Sequence, residues 1–197
     1  MSQQLRLLGI SGSLRRGSFN TALLNEATDL LPEDLTLEVF PLHDIPLFNS
    51  DVEARGFPPA VQAFRQRIRA ADGLLFAAPE YNYSITGVLK NAIDWASRGE
   101  NTDDGADLGS PLDEKPVAVM GAGGRLGTVR AQAHFRQIAL HNSMRVMIDP
   151  ELFVPRPWSK FDEDGRLVHE RTRERLRKFL AAIPAWVRMW QANPIGS

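Results

Sequence analysis

Cysteine is absent from the 197 residues, which excludes disulfide bonds, thiolate zinc sites and a cysteine nucleophile, and suits a reducing compartment. An excess of charge of one sign is also lacking. The formal net charge is −1, so neither nucleic acid nor an anionic membrane surface is an expected partner. No uncharged apolar run approaches the roughly 20 residues of a membrane-crossing helix. The first residues lack the basic-then-apolar pattern of a secretory leader. Histidine is scarce: His43, His134, His141 and His169 accompany no carboxylate motif that would complete a metal site. What remains is ordinary for a globular protein, 43% hydrophobic and 24% charged. These features point to one cytoplasmic domain spanning residues 1–197.

Along the chain, apolar runs of strand length alternate with patterns of helical period. Residues 5–10 read as a buried strand, continuously apolar apart from Arg6. Asn20 is placed to cap a helix reaching Leu31, with Leu23, Leu24, Ala27, Leu30 and Leu31 at helical spacing and Pro32 as its stop. Leu35, Leu37 and Val39 alternate with Thr36 and Glu38, the mark of a strand near a sheet edge. A long connection punctuated by Pro and Gly follows. Val61, Phe64, Ile68 and Ala71 then form the apolar face of a second helix whose other face is Gln and Arg.

Residues 73–78 and 116–120 are two further buried strands, 145–148 a fifth. Helices are predicted over 86–98, 129–141 and 169–191, the last kinked or interrupted at Pro184. A polar loop rich in Asp and Gly separates the 86–98 helix from the strand at 116. Strands alternating with helices, and apolar on both faces, predict a doubly wound α/β fold with a five-stranded parallel sheet covered on both sides.

In such sheets ligands bind beyond the carboxyl ends of the strands. Three loops there carry small or polar groups. The first, "GISGSLRRGSFN", resembles no P-loop in chemistry, because Ser18 stands where the essential lysine belongs. Its serines, Asn20, Arg15 and the amides of a helix N-terminus suit one terminal phosphate monoester such as that of flavin mononucleotide (FMN). The second, "PEYNYSITG", has the chemistry for a planar ring, through aromatic faces and backbone amides near Glu80 to Asn82. Tyr81 and Tyr83 equally fit the role of partly buried loop aromatics. The third, "GAGGRLG", fails the dinucleotide fingerprint because Leu126 takes the third glycine position, but its glycines let the backbone approach a ligand.

The ordered pair "GISGSLRRGSFN" and "PEYNYSITGVLKNAIDW", with "LHDIPLFNSD" between them and "GAGGRLG" after, resembles the NADPH-dependent FMN reductase family of flavodoxin-like proteins. That resemblance implies FMN as cofactor and NADPH or NADH as co-substrate. It places the FMN phosphate on Ser13, Arg15, Ser18, Phe19 and Asn20, and the isoalloxazine ring beside Pro79, Glu80, Tyr81, Asn82 and Ser84. Gly121, Gly123 and Gly124 would approach the ring from the next strand. Family members often carry Ser or Thr in the third loop, where this chain has Gly121-Ala122-Gly123. The implied reaction is ping-pong transfer from NAD(P)H through the flavin to a small-molecule acceptor: a quinone, an azo compound, a free flavin or a metal oxyanion. The family also implies a homodimer or homotetramer, and no catalytic acid or base beyond the flavin. The rival readings are a flavodoxin-type electron carrier, usually more acidic than this chain, and a non-catalytic flavin-binding sensor. Arg125 and Arg130, near the expected site, suit either the phosphates of the nicotinamide nucleotide or a partner subunit.

Overall fold

Burial on both faces decides which strands sit at the centre of the sheet. In the computed structural model, which describes residues 4–101, 105 and 107–193, β3 (Gly73–Ala77) and β4 (Pro116–Ala122) are buried at every position. β1 (Leu5–Ser11) is buried everywhere except Arg6, as its apolar run requires. β2 (Leu35–Phe40) lies at the edge; its expected alternation holds through Glu38 but breaks at Val39, which is exposed while Phe40 is half-buried. All ladders are parallel, in the order β2-β1-β3-β4-β5. This is the flavodoxin-like order, and the winding reverses between β1 and β3.

The edge beyond β4 corrects the expected count. The sheet has six strands, because β5 is only Arg145–Val146 and a further strand, β6 (Leu152–Val154), takes up the same edge of β4. Pro150 lies between them and has no N–H for a ladder. The short apolar triplet of β6 carried too little period to be read as a strand.

Helices cover both faces. α1 (Phe19–Asp29) and α6 (Glu170–Ala192) pack on one side through Leu23, Leu24, Leu176, Phe179, Leu180 and Ile183. α3 (Pro59–Ala70), α4 (Gly87–Ala96) and α5 (Val129–His141) pack on the other through Phe64, Ile68, Leu89, Ile93 and Phe135. A one-turn helix, α2 (Ser50–Glu53), sits in the long connection, where only loop was expected. The polar loop after α4 falls partly on residues 102–104 and 106, outside the described residues.

Three local expectations change. Ser18, not Asn20, caps α1: its backbone is extended and its hydroxyl oxygen accepts from the Thr21 amide at 3.4 Å. Asn20 lies inside the helix with its side chain committed elsewhere. α6 runs unbroken across Pro184, held by the buried Leu180, Ile183 and Val187 on either side. Arg65, expected on the solvent face of α3, is only 1% exposed. Its Nη1 donates to the carbonyls of Trp95, Ala96 and Arg98 at 3.0, 3.2 and 2.7 Å, closing the C-terminal end of α4. Burial pushes this guanidinium below its ordinary pKa, opposed by the adjacent Glu100. Among the described residues, no helix is long and apolar enough to cross a membrane.

Candidate functional site

The turn leaving β1 is narrow because it must pass under the turn leaving β3. A Cβ on Gly12 would meet Pro79 Cδ at 2.8 Å and Leu89 Cβ at 3.1 Å, so only glycine allows this approach. The Gly12 amide donates to the Ala77 carbonyl at 2.9 Å, and the Thr86 hydroxyl donates to the Gly12 carbonyl at 2.6 Å. Thr86 also accepts from the Leu89 amide, so one buried hydroxyl caps α4 and ties the two turns together.

Beyond Gly12 the first loop is left with donors to spare. Among the described residues, the amides of Ser13, Leu14, Arg16, Gly17, Phe19 and Asn20 have no hydrogen-bond partner. The last two are orphan amides of the first turn of α1, where the helix dipole favours an anion. Arg15 is exposed, with its guanidinium 5.8 Å from the centre of the Phe19 ring. Ser18 is buried, and its hydroxyl accepts as a cap while keeping its own proton free to donate. Asn20 behaves differently. Its Nδ2 donates to the Ala122 carbonyl at 2.8 Å and its Oδ1 accepts from the Ala122 amide at 2.9 Å, clamping α1 to the end of β4. The Thr21 hydroxyl is engaged with that of Ser11 at 2.8 Å.

The second loop is a two-residue hairpin. Tyr81 and Ser84 exchange backbone hydrogen bonds, both 3.0 Å, while Asn82 and Tyr83 take φ of 51° and 66°. Two successive left-handed residues make the tight turn that suits a hairpin, at a cost in strain for tyrosine. The tyrosines are 56% and 64% exposed, so the reading of them as partly buried is corrected. His134 on α5 holds the hairpin's base, its Nδ1 lying 3.0 Å from the Ser84 hydroxyl. It sits near the site without any metal-binding company: among the described residues, no group of three His, Cys, Asp or Glu could hold an ion.

Glu80 links this loop to α5. Its Oε2 accepts from the amides of Arg130 and Ala131 at 3.0 and 3.2 Å, and Oε1 pairs with Arg130 Nη1 at 3.5 Å. Thr128, the helix's own cap residue, is left-handed and makes no capping bond, so the carboxylate from the neighbouring loop replaces it. The Arg130 guanidinium lies over the Tyr83 ring, its Cζ 4.0 Å from the ring centre.

Two members of the third loop prove to be strand. Gly121 and Ala122 end β4, and a Cβ on Gly121 would collide with the Thr128 hydroxyl and lie 2.6 Å from the Ala78 carbonyl. Gly123 and Gly124 follow in the open, pinned from the side by β6 and its continuation: Gly123 N donates to Val154 O at 3.1 Å, and Arg156 N to Gly124 O at 2.7 Å.

These turns enclose a cleft of about 220 Å³ at the carboxyl ends of the strands. Ser13, Arg15, Ser18, Phe19, Asn20, Pro79, Glu80, Tyr81, Gly123 and Gly124 line it, ten of the residues singled out in the sequence. Asn82, Ser84 and Gly121 do not; the first two shape the hairpin and the third packs behind the cleft. Ala122, Pro157 and Trp158 also line it and were missed. Trp158, 60% exposed, stands on the short helix after β6. The only sequence signal for it was an aromatic set between prolines and polar residues. A second cavity, of about 460 Å³, adjoins the cleft through Glu80, Gly123 and Gly124.

The chain is similar to known proteins along most of its length. Residues 5–159 match the family described as NADPH-dependent FMN reductase. The chain is 49% identical over 189 residues to an NAD(P)H-dependent FMN reductase of Pseudomonas aeruginosa, covering 95% of this chain and 98% of that one. It is 43% identical over 188 residues to an NAD(P)H:quinone oxidoreductase of Solanum tuberosum, covering 92% of each. Among solved structures, FerB, a flavoenzyme NAD(P)H:(acceptor) oxidoreductase from Paracoccus denitrificans, superposes with a TM-score of 0.82 at 31% identity, covering 94% of this chain and 98% of that one. With its first three-quarters matched and its sheet wound in the flavodoxin-like order, the chain belongs to the NADPH-dependent FMN reductase family.

Proposed function

We propose that the cleft holds FMN, with its phosphate at the β1–α1 turn and its ring between the β3 hairpin and the Gly123–Gly124 ledge. The chain acts as an NAD(P)H-dependent reductase of small oxidised acceptors: quinones first, and azo compounds, free flavins or metal oxyanions. One observation carries the reading. An anion-accepting turn with unused amides and Arg15 faces the same cleft as Pro79, Tyr81 and Trp158, so one end suits a phosphate and the other a flat ring. The relatives' names support the acceptor class.

FMN, when bound, supplies the redox chemistry, accepting hydride from NAD(P)H and passing the electrons on. The protein's part is binding and orientation. Ser13, Arg15, Ser18 and the orphan amides of Phe19 and Asn20 hold the phosphate; Asn20 keeps that turn in register with β4 through Ala122. Glu80 is fully engaged by α5 and Arg130, so it holds the wall of the cleft rather than moving a proton. The amides of Glu80 and Gly124, which donate to no described residue, are left to meet the ring's polar edge. The same reading includes the ping-pong order, with NAD(P)H and the acceptor meeting the bound flavin in turn.

The same reading includes residues 1–197 as one FMN-binding unit, a cytoplasmic setting and self-association as a homodimer or homotetramer. Support for association comes from the α4–α5 surface. A cavity of about 540 Å³ there includes Phe48 and Ile138, and Leu47 and Leu140, one and two positions away in sequence, are 84% and 81% exposed. Light scattering tests it, a monomer at micromolar concentration being the contrary result.

Spectroscopy tests the core of the proposal. Purified protein supplied with FMN should show flavin bands near one flavin per chain, bleached anaerobically by NADPH and restored by a quinone. A chain that takes up no FMN, or holds flavin that neither nicotinamide reduces, overturns it.

A further inference from the structure

We propose that the cavity beside the cleft receives the 2′-phosphate of NADPH, with Arg125 and Arg130 as its cationic walls. The proposal deepens the flavin reading above and rests on it. The cavity, about 460 Å³, shares Glu80, Gly123 and Gly124 with the cleft, so one dinucleotide can have its nicotinamide in the cleft and its adenosine end next door.

The charges along this wall do not cancel. Glu80 is the acidic residue lining it, and both its oxygens are taken, Oε2 by two α5 amides and Oε1 by Arg130. Arg125 is exposed and makes no hydrogen bond or ion pair with any described residue. The cavity therefore keeps one uncompensated guanidinium beside a second that retains donors after its single ion pair.

Arg130 is also preorganised, and the backbone that carries Arg125 is fixed. Arg130 is stacked on Tyr83 and tethered by Glu80, which restricts its rotamers before any ligand arrives. The Arg125 side chain is exposed and rises from a fixed backbone. The loop that carries it is closed by Gly127 N donating to Gly123 O at 2.9 Å and is pinned at Gly123 and Gly124 from the β6 side. A dianionic phosphate monoester matches two guanidinium forks better than the ribose hydroxyl of NADH does. No acidic residue of the cavity stands free to accept from that hydroxyl, the contact by which NAD-preferring sites select their cofactor.

The test is Arg125→Ala, at an exposed position that does not line the FMN cleft. Wild type should prefer NADPH, and the variant's ratio of kcat/KM for NADPH over NADH should fall about tenfold. Calorimetry supplies a readout apart from turnover. Adenosine 2′,5′-bisphosphate should bind wild type more tightly than adenosine 5′-phosphate, with an advantage that shrinks with added salt and falls about tenfold in the variant. An unchanged ratio, an equal loss with both nicotinamides, or a changed oligomeric state with the preference intact each overturns the assignment. FMN content read from absorbance separates the two levels: a flavin-free wild type defeats the flavin reading, whereas a flavin-loaded protein indifferent to the 2′-phosphate defeats this one alone.

Discussion

A single methyl group at Gly121 is enough to push three elements apart. Its Cβ would lie 2.6 Å from the Ala78 carbonyl of the β3 exit and would strike Thr128 at the start of α5. Gly121→Ala should therefore cost about 1–3 kcal/mol by overpacking, read as a lower midpoint in thermal unfolding. Arg15 is the opposite case, a surface group whose loss should leave the fold alone. Arg15→Ala should weaken FMN binding by about ten- to a hundredfold, the loss of one charge-assisted contact, with an unchanged far-UV spectrum. Unaltered affinity would mean that the phosphate lies elsewhere. At the foot of β4, burial lowers the pKa of Lys115, whose ammonium donates to the Ala71 carbonyl at 2.8 Å. The folded chain thus binds this proton less tightly than the unfolded one. Stability should rise as pH climbs from the lowered value toward 10.5 and fall as pH drops through it. Lys115→Met should lose that portion of the pH profile, so wild type gains on the variant between neutral and alkaline pH.

Elements here are finished by residues from other elements, and that is where the sequence is hardest to read. α5 has no working cap of its own, and the Glu80 carboxylate from the β3 loop takes the role. Glu80→Ala should cost about 1–2 kcal/mol, in the range of a lost helix cap, and should raise hydrogen exchange at Arg130 and Ala131 before the rest of α5. If those two amides keep their protection, the cap is supplied from elsewhere. Strand and helix periods made the central strands and α5 legible from local pattern alone, α5 to the residue. The cap of α1 was misplaced by two positions because Ser18 and Asn20 are both good caps locally. Only the distant Ala122 backbone decides that Asn20 turns away. β6 escaped notice for a similar reason: three residues form a strand only because β4 presents a free edge to them. Arg65 looked like solvent-facing charge on α3, and its burial depends on carbonyls at the end of α4 that no local pattern announces.

At the scale of the molecule, strand order is what turns three separate loops into one cleft. The reversal between β1 and β3 brings the first and second loops together, and β4 beside β3 adds the third. Composition marked each loop as ligand-facing; the set of individual residues, Phe19 and Gly124 among them, and the strand order that joins the loops came with the family resemblance. A ligand bridging loops from three strands stabilises the folded chain as a whole, since the unfolded chain presents no such site. At free FMN one hundredfold above its Kd, the gain is about 2.7 kcal/mol. For a chain of this length that corresponds to a rise of roughly 5–10 °C in Tm. Riboflavin, which has the ring but not the phosphate, should give a much smaller rise at the same concentration. Arg15→Ala should bring the FMN response down toward that of riboflavin without altering the ligand-free Tm. Equal shifts for FMN and riboflavin, or for wild type and variant, would mean that the turn after β1 holds no phosphate, however well its amides are placed.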